Sequence, residues 1–282
     1  MEKKVWLITG CSSGFGRELA KSVADKGDQV IGTVRKKEQV PVLEALSSGS
    51  IRGFVLDVTE EDAEARIHQL IQEKYGSKID VLVNNAGYGS LGPIELIDGA
   101  EIRRQFEVNV FGAVAMIKAV LPFMRKNRSG HILNITSIAG LNGFPGVGIY
   151  NGSKFALEGI GEALSAETKH LGINVTNVEP GPFRTDWAGT SATFVGAEIA
   201  DYDETAHKNI KAIQAVSGKQ IGDPIRAVNA MYELTQLKNP PLHLPLGGPA
   251  YARIKIKLHD FGEEIDQFEY LGLPTDYPES ER

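Results

Sequence analysis

Tyr150 and Lys154 are the two side chains of this chain whose types and spacing best support chemistry. Residues four apart lie on one face of a helix, so the phenol and the ammonium would project side by side. A nearby ammonium stabilises a phenolate, and we expect it to lower the pKa of Tyr150 from its ordinary value of about 10. Such a phenol can exchange a proton with an alcohol or carbonyl oxygen near neutral pH. The spacing alone also fits an amphipathic helix with an exposed lysine, so other motifs must decide.

A glycine-rich segment near the N-terminus could bind a phosphate group. Gly10, Gly14 and Gly16 follow an apolar, β-prone run at residues 5–9 and open a helix-prone stretch at residues 14–26. In this context the first glycine permits a tight turn, the second lets a ligand approach the backbone, and the third allows close packing of helix and strand. The helix N-terminus adds N–H groups and the positive end of a dipole. An ordinary glycine turn is the alternative interpretation.

Further motifs follow in order along the chain. They are Asn84-Asn85-Ala86-Gly87, Asn109, Ser137, the Tyr150/Lys154 pair and Pro180-Gly181. Together with the T-G-x-x-x-G-x-G spacing of the glycine-rich loop, this series resembles the short-chain dehydrogenase/reductase family in its Y-x-x-x-K form. The resemblance runs over residues 5–185, with each motif at its usual separation, and several motifs in register are far more specific than any one of them.

Apolar, strand-like runs alternate with helical patterns. The strand-like runs are residues 5–9, 29–34, 53–56, 81–83, 132–136 and 173–178, and the helical patterns include residues 14–26, 60–75, 100–126, 150–170 and 223–237. This alternation predicts an α/β protein with a parallel sheet and helices on both faces. With the resemblance, it predicts a Rossmann-like, doubly wound, three-layer α/β/α fold. We expect one domain over residues 1–282, with a substrate-loop insertion at about 186–222 and a C-terminal extension at about 247–282.

The resemblance implies a catalytic set of four residues, Asn109, Ser137, Tyr150 and Lys154. Tyr150 would act as general acid in reduction and general base in oxidation. Lys154 would lower the Tyr150 pKa and hydrogen-bond the nicotinamide ribose, Ser137 would reach the substrate carbonyl oxygen, and the Asn109 backbone carbonyl would hold a water that links the lysine to solvent. Each has a structural alternative: a helix cap for Ser137, a local hydrogen bond for Asn109, and an interface aromatic for Tyr150. Thr136 precedes Ser137, so the sequence leaves open which of the two hydroxyls reaches the substrate carbonyl oxygen.

The expected cofactor is NADP, with NADPH preferred over NADH. Enzymes that use NAD place an acidic residue at the end of the second strand, where it binds the adenosine ribose. Val34 stands there in this chain and Arg35 follows, and a guanidinium can bind a 2′-phosphate through two hydrogen bonds. A solvated charge run at a strand exit is the alternative. The expected cofactor-binding residues are Gly10, Ser12, Ser13, Gly14, Phe15, Gly16, Arg35, Asp57, Val58, Asn84, Ala86, Gly87, Tyr150, Lys154, Pro180, Gly181, Phe183 and Thr185.

The predicted substrate is a hydrophobic ketone or aldehyde and the corresponding alcohol. The segments expected to line its pocket, residues 140–148 and 186–222, are apolar and glycine-rich, with Trp187 and Phe194 among them and no cluster of Arg or Lys. The chain would then be a carbonyl reductase or alcohol dehydrogenase of that family. A non-catalytic NADP(H)-binding redox sensor is the main alternative, although a sensor has no need of the serine, tyrosine and lysine together. Nucleotide-sugar dehydratase or epimerase chemistry is another, although those relatives are longer.

Composition sets the remaining expectations. The 282 residues carry a net charge of −6, which argues against nucleic acid or an anionic membrane as the main partner. We find no apolar run of the ~18 residues that a membrane span needs, and no secretory signal. The single cysteine, Cys11, suits a reducing compartment, so the expected location is the cytoplasm. The six histidines show no paired ligand spacing, so no metal is expected. The resemblance implies a homodimer or homotetramer.

Overall fold

A sheet of parallel strands forms the centre of the protein. The computed structural model describes residues 3–189, 192–195 and 199–281. The strands within them are β1 (Val5–Ile8), β2 (Gln29–Val34), β3 (Ile51–Val55), β4 (Val81–Asn84), β5 (Gly89–Leu91), β6 (Gly130–Ile135), β7 (Ile173–Pro180), β8 (Ala192–Phe194) and β9 (His243–Leu246). Within the described residues the central sheet has the order β3-β2-β1-β4-β6-β7-β9, and β5 pairs with β8 separately. The strand order reverses beside β1, which is where sheets of this kind bind ligands.

Helices cover both faces of this sheet. In chain order they are α1 (Gly14–Asp25), α2 (Gln39–Glu44), α3 (Ala63–Lys74), α4 (Gly99–Phe106), α5 (Gly112–Asn127), α6 (Gly148–Thr168), α7 (Lys208–Ala215), α8 (Pro224–Leu234) and α9 (Gly248–Gly272). Trp6 and Ile8 of β1 join the buried cluster that contains α1 and α8. Val5 and Leu7 join the cluster that contains α3 and α5. Because side chains alternate along a strand, the two clusters lie on opposite faces. The predicted Rossmann-like, three-layer α/β/α fold is confirmed.

The carboxyl ends of β1, β4 and β6 meet at one edge of the sheet. Ile8 pairs with Val83, and Val83 pairs with Leu133. All residues of β1 and β4 are buried, which is the pattern of parallel strands covered on both faces. The loops that follow the three strands therefore begin side by side, and this brings the glycine-rich loop close to Ser137.

The helix predicted at residues 100–126 is not continuous. α4 ends at Phe106, a π-helical turn spans Glu107–Phe111, and α5 begins at Gly112. Asn109 is buried within this turn, and its side chain bonds to both the N–H and the carbonyl of Tyr88. These contacts hold the wider turn in place. The apolar pattern does not reveal it, because the residues on either side keep helical periodicity.

The two segments expected to depart from the alternating pattern form elements of their own. The insertion at residues 186–222 holds β8 and α7, and its residues 190–191 and 196–198 lie outside the described residues. The C-terminal extension is mainly α9. Strand β9 joins the sheet beside β7, and the sequence does not predict it because it is short and contains Pro245.

One helical stretch meets the criteria of length and apolarity for a membrane span, although we find no apolar run of that length in the sequence. Among the described residues this is Gly99–Asn127, with a mean hydropathy of 1.5 in its most apolar window. Half of that window is buried in the protein. Burial of this kind is typical of a core helix, as expected for a helix that packs on a central sheet.

Candidate active site

The glycine-rich loop forms one wall of a cleft at the carboxyl edge of the sheet. Gly10 and Gly14 have φ values of +70° and +56°, in the left-handed region that favours glycine. A Cβ on Gly10 would lie 3.0 Å from Cα of Ala86, and one on Gly16 would lie 2.4 Å from the Gly10 carbonyl oxygen. The loop therefore presents backbone to the cleft, and α1 starts directly behind it.

The first turn of α1 is suited to an anion. Ser12, Ser13, Gly14 and Phe15 all line the cleft. The turn contains no acidic residue, and the side chain of Ser13, at the N-cap, makes no capping hydrogen bond. Backbone N–H groups at a helix start, together with the positive end of the helix dipole, form the usual binding site for a phosphate.

Asn84, the last residue of β4, and Asn85, which follows it, have different surroundings. Asn85 donates from Nδ2 to the carbonyl oxygens of Thr9 (2.8 Å) and Gly10 (3.1 Å). It thereby fixes the glycine-rich loop to β4. Asn84 is buried and donates from Nδ2 to Oδ1 of Asn134 at 3.0 Å. Asn84 therefore ties β4 to β6 within the sheet.

A cavity of about 870 Å³ runs along this edge of the sheet. Most of the residues predicted for the site line it: Gly10, Ser12, Ser13, Gly14, Phe15, Arg35, Asp57, Val58, Ala86, Gly87, Ser137, Tyr150, Lys154, Pro180, Gly181, Phe183 and Thr185. Three others lie behind its wall, namely Gly16, Asn84 and Asn109. The cavity thus joins the glycine-rich loop to the serine, tyrosine and lysine.

Tyr150 is buried in the wall of the cavity, in the first turn of α6. Its ring lies 5.0 Å, centroid to centroid, from the ring of Trp187. Lys154 follows one turn later, and its Nζ lies 5.8 Å from the centroid of the Tyr150 ring. The same Nζ donates to the carbonyl oxygen of Ile135 at 2.8 Å. This hydrogen bond holds the ammonium at the end of β6, beside the phenol.

Burial changes the pKa of Tyr150 in the direction opposite to the one expected from the sequence. Loss of water raises the pKa of Tyr150 to about 12, and a hydrogen bond with Ser137 offsets only part of this effect. Burial also lowers the pKa of Lys154 to about 8, against the opposing effect of the Glu158 carboxylate. The prediction of a lowered Tyr150 pKa is therefore wrong for this structure, because desolvation of the phenolate outweighs the hydrogen bond with Ser137. The favoured form is the neutral phenol, which can donate a proton.

The two neighbouring hydroxyls at the end of β6 are engaged differently. Thr136 is buried and donates from Oγ1 to the carbonyl oxygen of Val178 at 2.8 Å, which ties β6 to β7. Ser137 interacts with the Tyr150 hydroxyl, and its Oγ also accepts from the N–H of Ala139 at 3.0 Å. Ser137 thus caps a short 3₁₀ turn and also stands beside the phenol.

Asn109 supports the site from behind. Its Nδ2 donates to Oγ of Ser153 at 3.0 Å and to the Tyr88 carbonyl at 2.9 Å. Ser153 lies next to Lys154 on α6. Asn109 therefore links the π-helical turn to α6 and to the loop after β4. Its expected role through a backbone carbonyl and a water remains a prediction.

Several residues of the cavity wall are absent from the sequence prediction. They include Thr33, Tyr88, Arg104, Ile135 and Arg253. The Arg104 guanidinium lies 5.6 Å from the centre of the Tyr88 ring, and that of Arg253 lies 5.8 Å from the centre of the Phe144 ring. These arginines come from α4 and α9, where the sequence carries no motif that would identify them.

The part of the cavity near Trp187 is apolar. The apolar residues that line it include Phe144, Val147, Trp187, Ile213 and Val216. They come from both segments that the sequence predicts for the substrate pocket. Phe194, also expected there, is instead 41% exposed and lies outside the lining.

Arg35 lies in the cavity wall at the end of β2. It has no hydrogen bond or ion pair with any other described residue. The Asp57 carboxylate, just after the neighbouring β3, accepts hydrogen bonds from the N–H and the hydroxyl of Thr59. The guanidinium is therefore available to an anionic group of a ligand.

These features fit an extended dinucleotide. A backbone-lined loop and a helix start suit a pyrophosphate, and Arg35 suits a further phosphate on the same wall. The volume of about 870 Å³ is in the range of cofactor and ligand pockets. The proton-donating side chains lie in the same cavity.

Residues 4–195 match the family model described as short chain dehydrogenase. The chain belongs to the short-chain dehydrogenase family. Similar members of this oxidoreductase family include a 3-ketodihydrosphingosine reductase of Bacteroides thetaiotaomicron, 37% identical over 249 residues that cover 88% of this chain and 89% of the relative. Human retinol dehydrogenase 8 is 38% identical over 249 residues that cover 84% of this chain and 79% of the relative.

The fold of this chain is also similar to those of solved structures. A short-chain dehydrogenase from Streptomyces avermitilis superposes with a TM-score of 0.91 and 37% identity, covering 98% of this chain and 99% of that one. ElxO with NADP bound superposes with a TM-score of 0.74 and 28% identity, covering 89% of this chain and all of that one. This short-chain dehydrogenase therefore shares its fold with a relative that binds NADP.

Proposed function

We propose that this chain is an NADP(H)-dependent oxidoreductase that interconverts a hydrophobic ketone or aldehyde and its alcohol. The observation that carries the proposal is that Tyr150, Ser137 and Lys154 lie in the same cavity as the glycine-rich loop. A cofactor site without chemistry would not require a buried phenol, a hydroxyl and an ammonium at one end. Membership of an oxidoreductase family supports the same conclusion.

In reduction, the Tyr150 phenol donates its proton to the substrate carbonyl oxygen as negative charge develops there. The Ser137 hydroxyl donates a hydrogen bond to the same oxygen, and the Lys154 ammonium stabilises the phenolate that remains. The nicotinamide, when bound, supplies the hydride to the carbonyl carbon and accepts it back in oxidation. One hydride and one proton convert the carbonyl to the alcohol. In oxidation the Tyr150 phenolate takes the proton from the alcohol.

We assign the pyrophosphate to the glycine-rich loop and the start of α1. Arg35 would bind the adenosine 2′-phosphate, and Asp57 and Val58 would meet the adenine. Pro180, Gly181, Phe183 and Thr185, at the end of β7, would contact the nicotinamide end, since they line the same cavity. Lys154 would also hydrogen-bond the nicotinamide ribose.

The apolar wall supports a hydrophobic substrate. Phe144, Val147, Trp187, Ile213 and Val216 offer apolar contacts to a substrate in the cavity. The relatives named above act, by their names, on a sphingoid ketone and a retinoid alcohol. We therefore expect a long or ring-containing apolar body attached to the reacting carbonyl.

The experiment that tests this function is a measurement of NADPH oxidation with a panel of carbonyl compounds. The panel should contain hydrophobic ketones and aldehydes and, as matched controls, small polar ketones. We expect turnover with hydrophobic members and the alcohol as product. Tight NADPH binding without turnover on any compound would instead favour the redox sensor.

Arg35→Asp is expected to reverse the cofactor preference from NADPH to NADH. The new carboxylate would repel the 2′-phosphate and could accept hydrogen bonds from the ribose of NADH. The measurement is the ratio of kcat/KM for the two cofactors. We expect this ratio to fall at least about 100-fold, in line with loss of a charge-assisted hydrogen-bonded pair. Lys169→Asp, the same charge change at an exposed site after α6, is the control and should leave the ratio unchanged. A wild-type enzyme that uses NADH equally well would contradict the assignment.

Ser137→Ala is expected to lower kcat about 10²-fold, because a hydrogen bond to the developing oxyanion is lost. Thr136→Ala removes a neighbouring hydroxyl that bonds to Val178 within the sheet. It should cost about 1 kcal/mol of unfolding free energy and leave kcat within a small factor. Steady-state kinetics and thermal unfolding of both variants check the pair. The opposite order of the two kcat losses would assign the catalytic hydroxyl to Thr136.

We further propose that the chain assembles as a homodimer or homotetramer in the cytoplasm. Members of this family are usually oligomeric. Phe111 and Phe155, on the elements that carry Asn109 and Tyr150, are exposed apolar side chains. They support an interface through these elements.

A further inference from the structure

Helix α9 is largely exposed, with contacts to the rest of the protein near its start. It spans Gly248–Gly272, and Ala250 is its one buried residue. Most of the stability of a helix in a protein comes from tertiary packing, because helix propensity alone leaves an isolated helix only marginally stable in water. Packing within this chain therefore stabilises α9 little. Its apolar side chains therefore require a partner.

Six apolar residues of α9 follow a heptad pattern, and the exposed Ile256, Tyr270 and Leu271 lie outside it. Spacings of three and four residues alternate along the series Tyr251, Ile254, Leu258, Phe261, Ile265 and Phe268. Five of the six are large side chains with exposures of 46% to 66%. A stripe with a mean spacing of 3.5 residues is the signature of a helix that pairs with another helix in a coiled coil.

Charges beside this stripe are divided between the two ends of the helix. The positions that flank the stripe carry Lys255 and Lys257 in the first half and Glu264 and Glu269 in the second half. In an antiparallel pair of identical helices, the first half of one copy faces the second half of the other. Lysines then oppose glutamates at both ends, as flanking positions of coiled coils require. A parallel pair would place Glu264 beside Glu269 of the other copy, and the two like charges would repel. Binding to a lipid surface would not explain why the lysines and the glutamates lie at opposite ends of the helix.

We propose that α9 pairs with α9 of a second copy of this chain in an antiparallel, two-fold coiled coil. Such an interface is self-complementary, as closed symmetric dimers are. It uses residues other than Phe111 and Phe155. The proposal does not depend on the catalytic activity.

The test uses two charge-reversal variants of the full chain and sedimentation velocity to measure their masses. Lys255→Glu/Lys257→Glu makes both ends of the helix acidic, and Glu264→Lys/Glu269→Lys makes both ends basic. We expect each variant alone to have half the mass of the wild-type assembly. An equimolar mixture should recover the wild-type mass, because every flanking pair is again of opposite charge. None of the four residues lines the active-site cavity, so NADPH binding by each variant serves as the control for folding.

Disulfide cross-linking tests the direction of pairing. Ile254→Cys and Ile265→Cys, which face each other in the antiparallel pair, should cross-link to each other when placed in separate chains of a mixture, and not each to itself. Self cross-linking of each variant would show a parallel pair and would contradict the proposal. Two other results would overturn it: unchanged mass for both charge variants, or failure of the mixture to recover the wild-type mass. Wild-type protein that lacks this association and sediments with phosphatidylcholine vesicles would assign the helix to a lipid surface instead.

Discussion

Tyr150→Phe is expected to lower kcat for ketone reduction by about 10³-fold, within the range of effects of a general acid. The substitution removes the one proton that the proposed mechanism delivers to the carbonyl oxygen. It keeps the aromatic ring, so the contact with Trp187 and the packing of α6 should persist. We therefore expect the dissociation constant of NADPH and the unfolding temperature to change little. Steady-state and single-turnover kinetics with a hydrophobic ketone measure the loss.

Tyr75→Phe is the matched control for this variant. Tyr75 is half-buried at the end of α3 and lies outside the cavity, so the control removes a hydroxyl without touching the site. Its kcat should equal that of the wild type. If Tyr150→Phe retained kcat within about threefold of the wild type, a loss far below that of a general acid, Tyr150 would not be the proton donor.

Lys154→Met is expected to lower kcat by about 10²-fold or more, because the phenolate formed after proton donation would lose its neighbouring cation. The Lys154 Nζ lies 5.8 Å from the Tyr150 ring in a buried environment, where the attraction is only weakly screened. Methionine has a similar length and fills the same space. We expect the rise of the oxidation kcat with pH to shift to higher pH, since the Tyr150 pKa, already about 12, rises further without the ammonium. Kinetics between neutral and alkaline pH measure both effects.

Lys169→Met removes a lysine that follows α6 and is exposed. This control should leave kcat and its pH dependence unchanged. A Lys154→Met enzyme with normal kcat and an unshifted pH profile would show that the ammonium does not act on the phenol.

The fold and much of the candidate site follow from local patterns in the sequence. Alternating strands and helices predict a parallel sheet, and the ends of parallel strands meet at one edge. The glycine-rich loop, Ser137 and the start of α6 each follow a recognisable local pattern, so their meeting in one cavity could be expected. The position of Arg35 in the cavity wall could also be predicted, because Arg35 comes directly after β2 in the sequence.

Features that depend on distant parts of the chain could not be predicted in this way. The raised pKa of Tyr150 results from burial by residues such as Trp187, and spacing along α6 carries no information on loss of water. Asn84 bonds to Asn134 of a neighbouring strand, so its place behind the cavity wall depends on the register of the sheet. Arg253 reaches the cavity from the C-terminal helix, far along the chain from the other site residues.

A cluster of one histidine and two glutamates also depends on distant parts of the chain and could not be predicted from the sequence. His243 Nδ1 lies 2.7 Å from Glu179 Oε1 and 3.7 Å from Glu158 Oε2. The ligand atoms lie within 4.8 Å of one another, so the fold gathers a histidine and two carboxylates that no sequence spacing indicates. The expected absence of a metal remains a prediction.

The most direct test of the central claim, that Tyr150 exchanges a proton with the substrate oxygen, is the pH dependence of kcat in both directions. Reduction needs the phenol and oxidation needs the phenolate, so one ionisation should appear in both profiles with opposite sign. Because burial raises the pKa of Tyr150 to about 12, we expect oxidation to quicken with rising pH as the phenolate fraction grows, reduction to slow only as the pH nears that value, and Tyr150→Phe to abolish both effects. An oxidation rate that does not rise with pH, a reduction rate that rises with pH, or either pH dependence persisting in Tyr150→Phe would contradict the account.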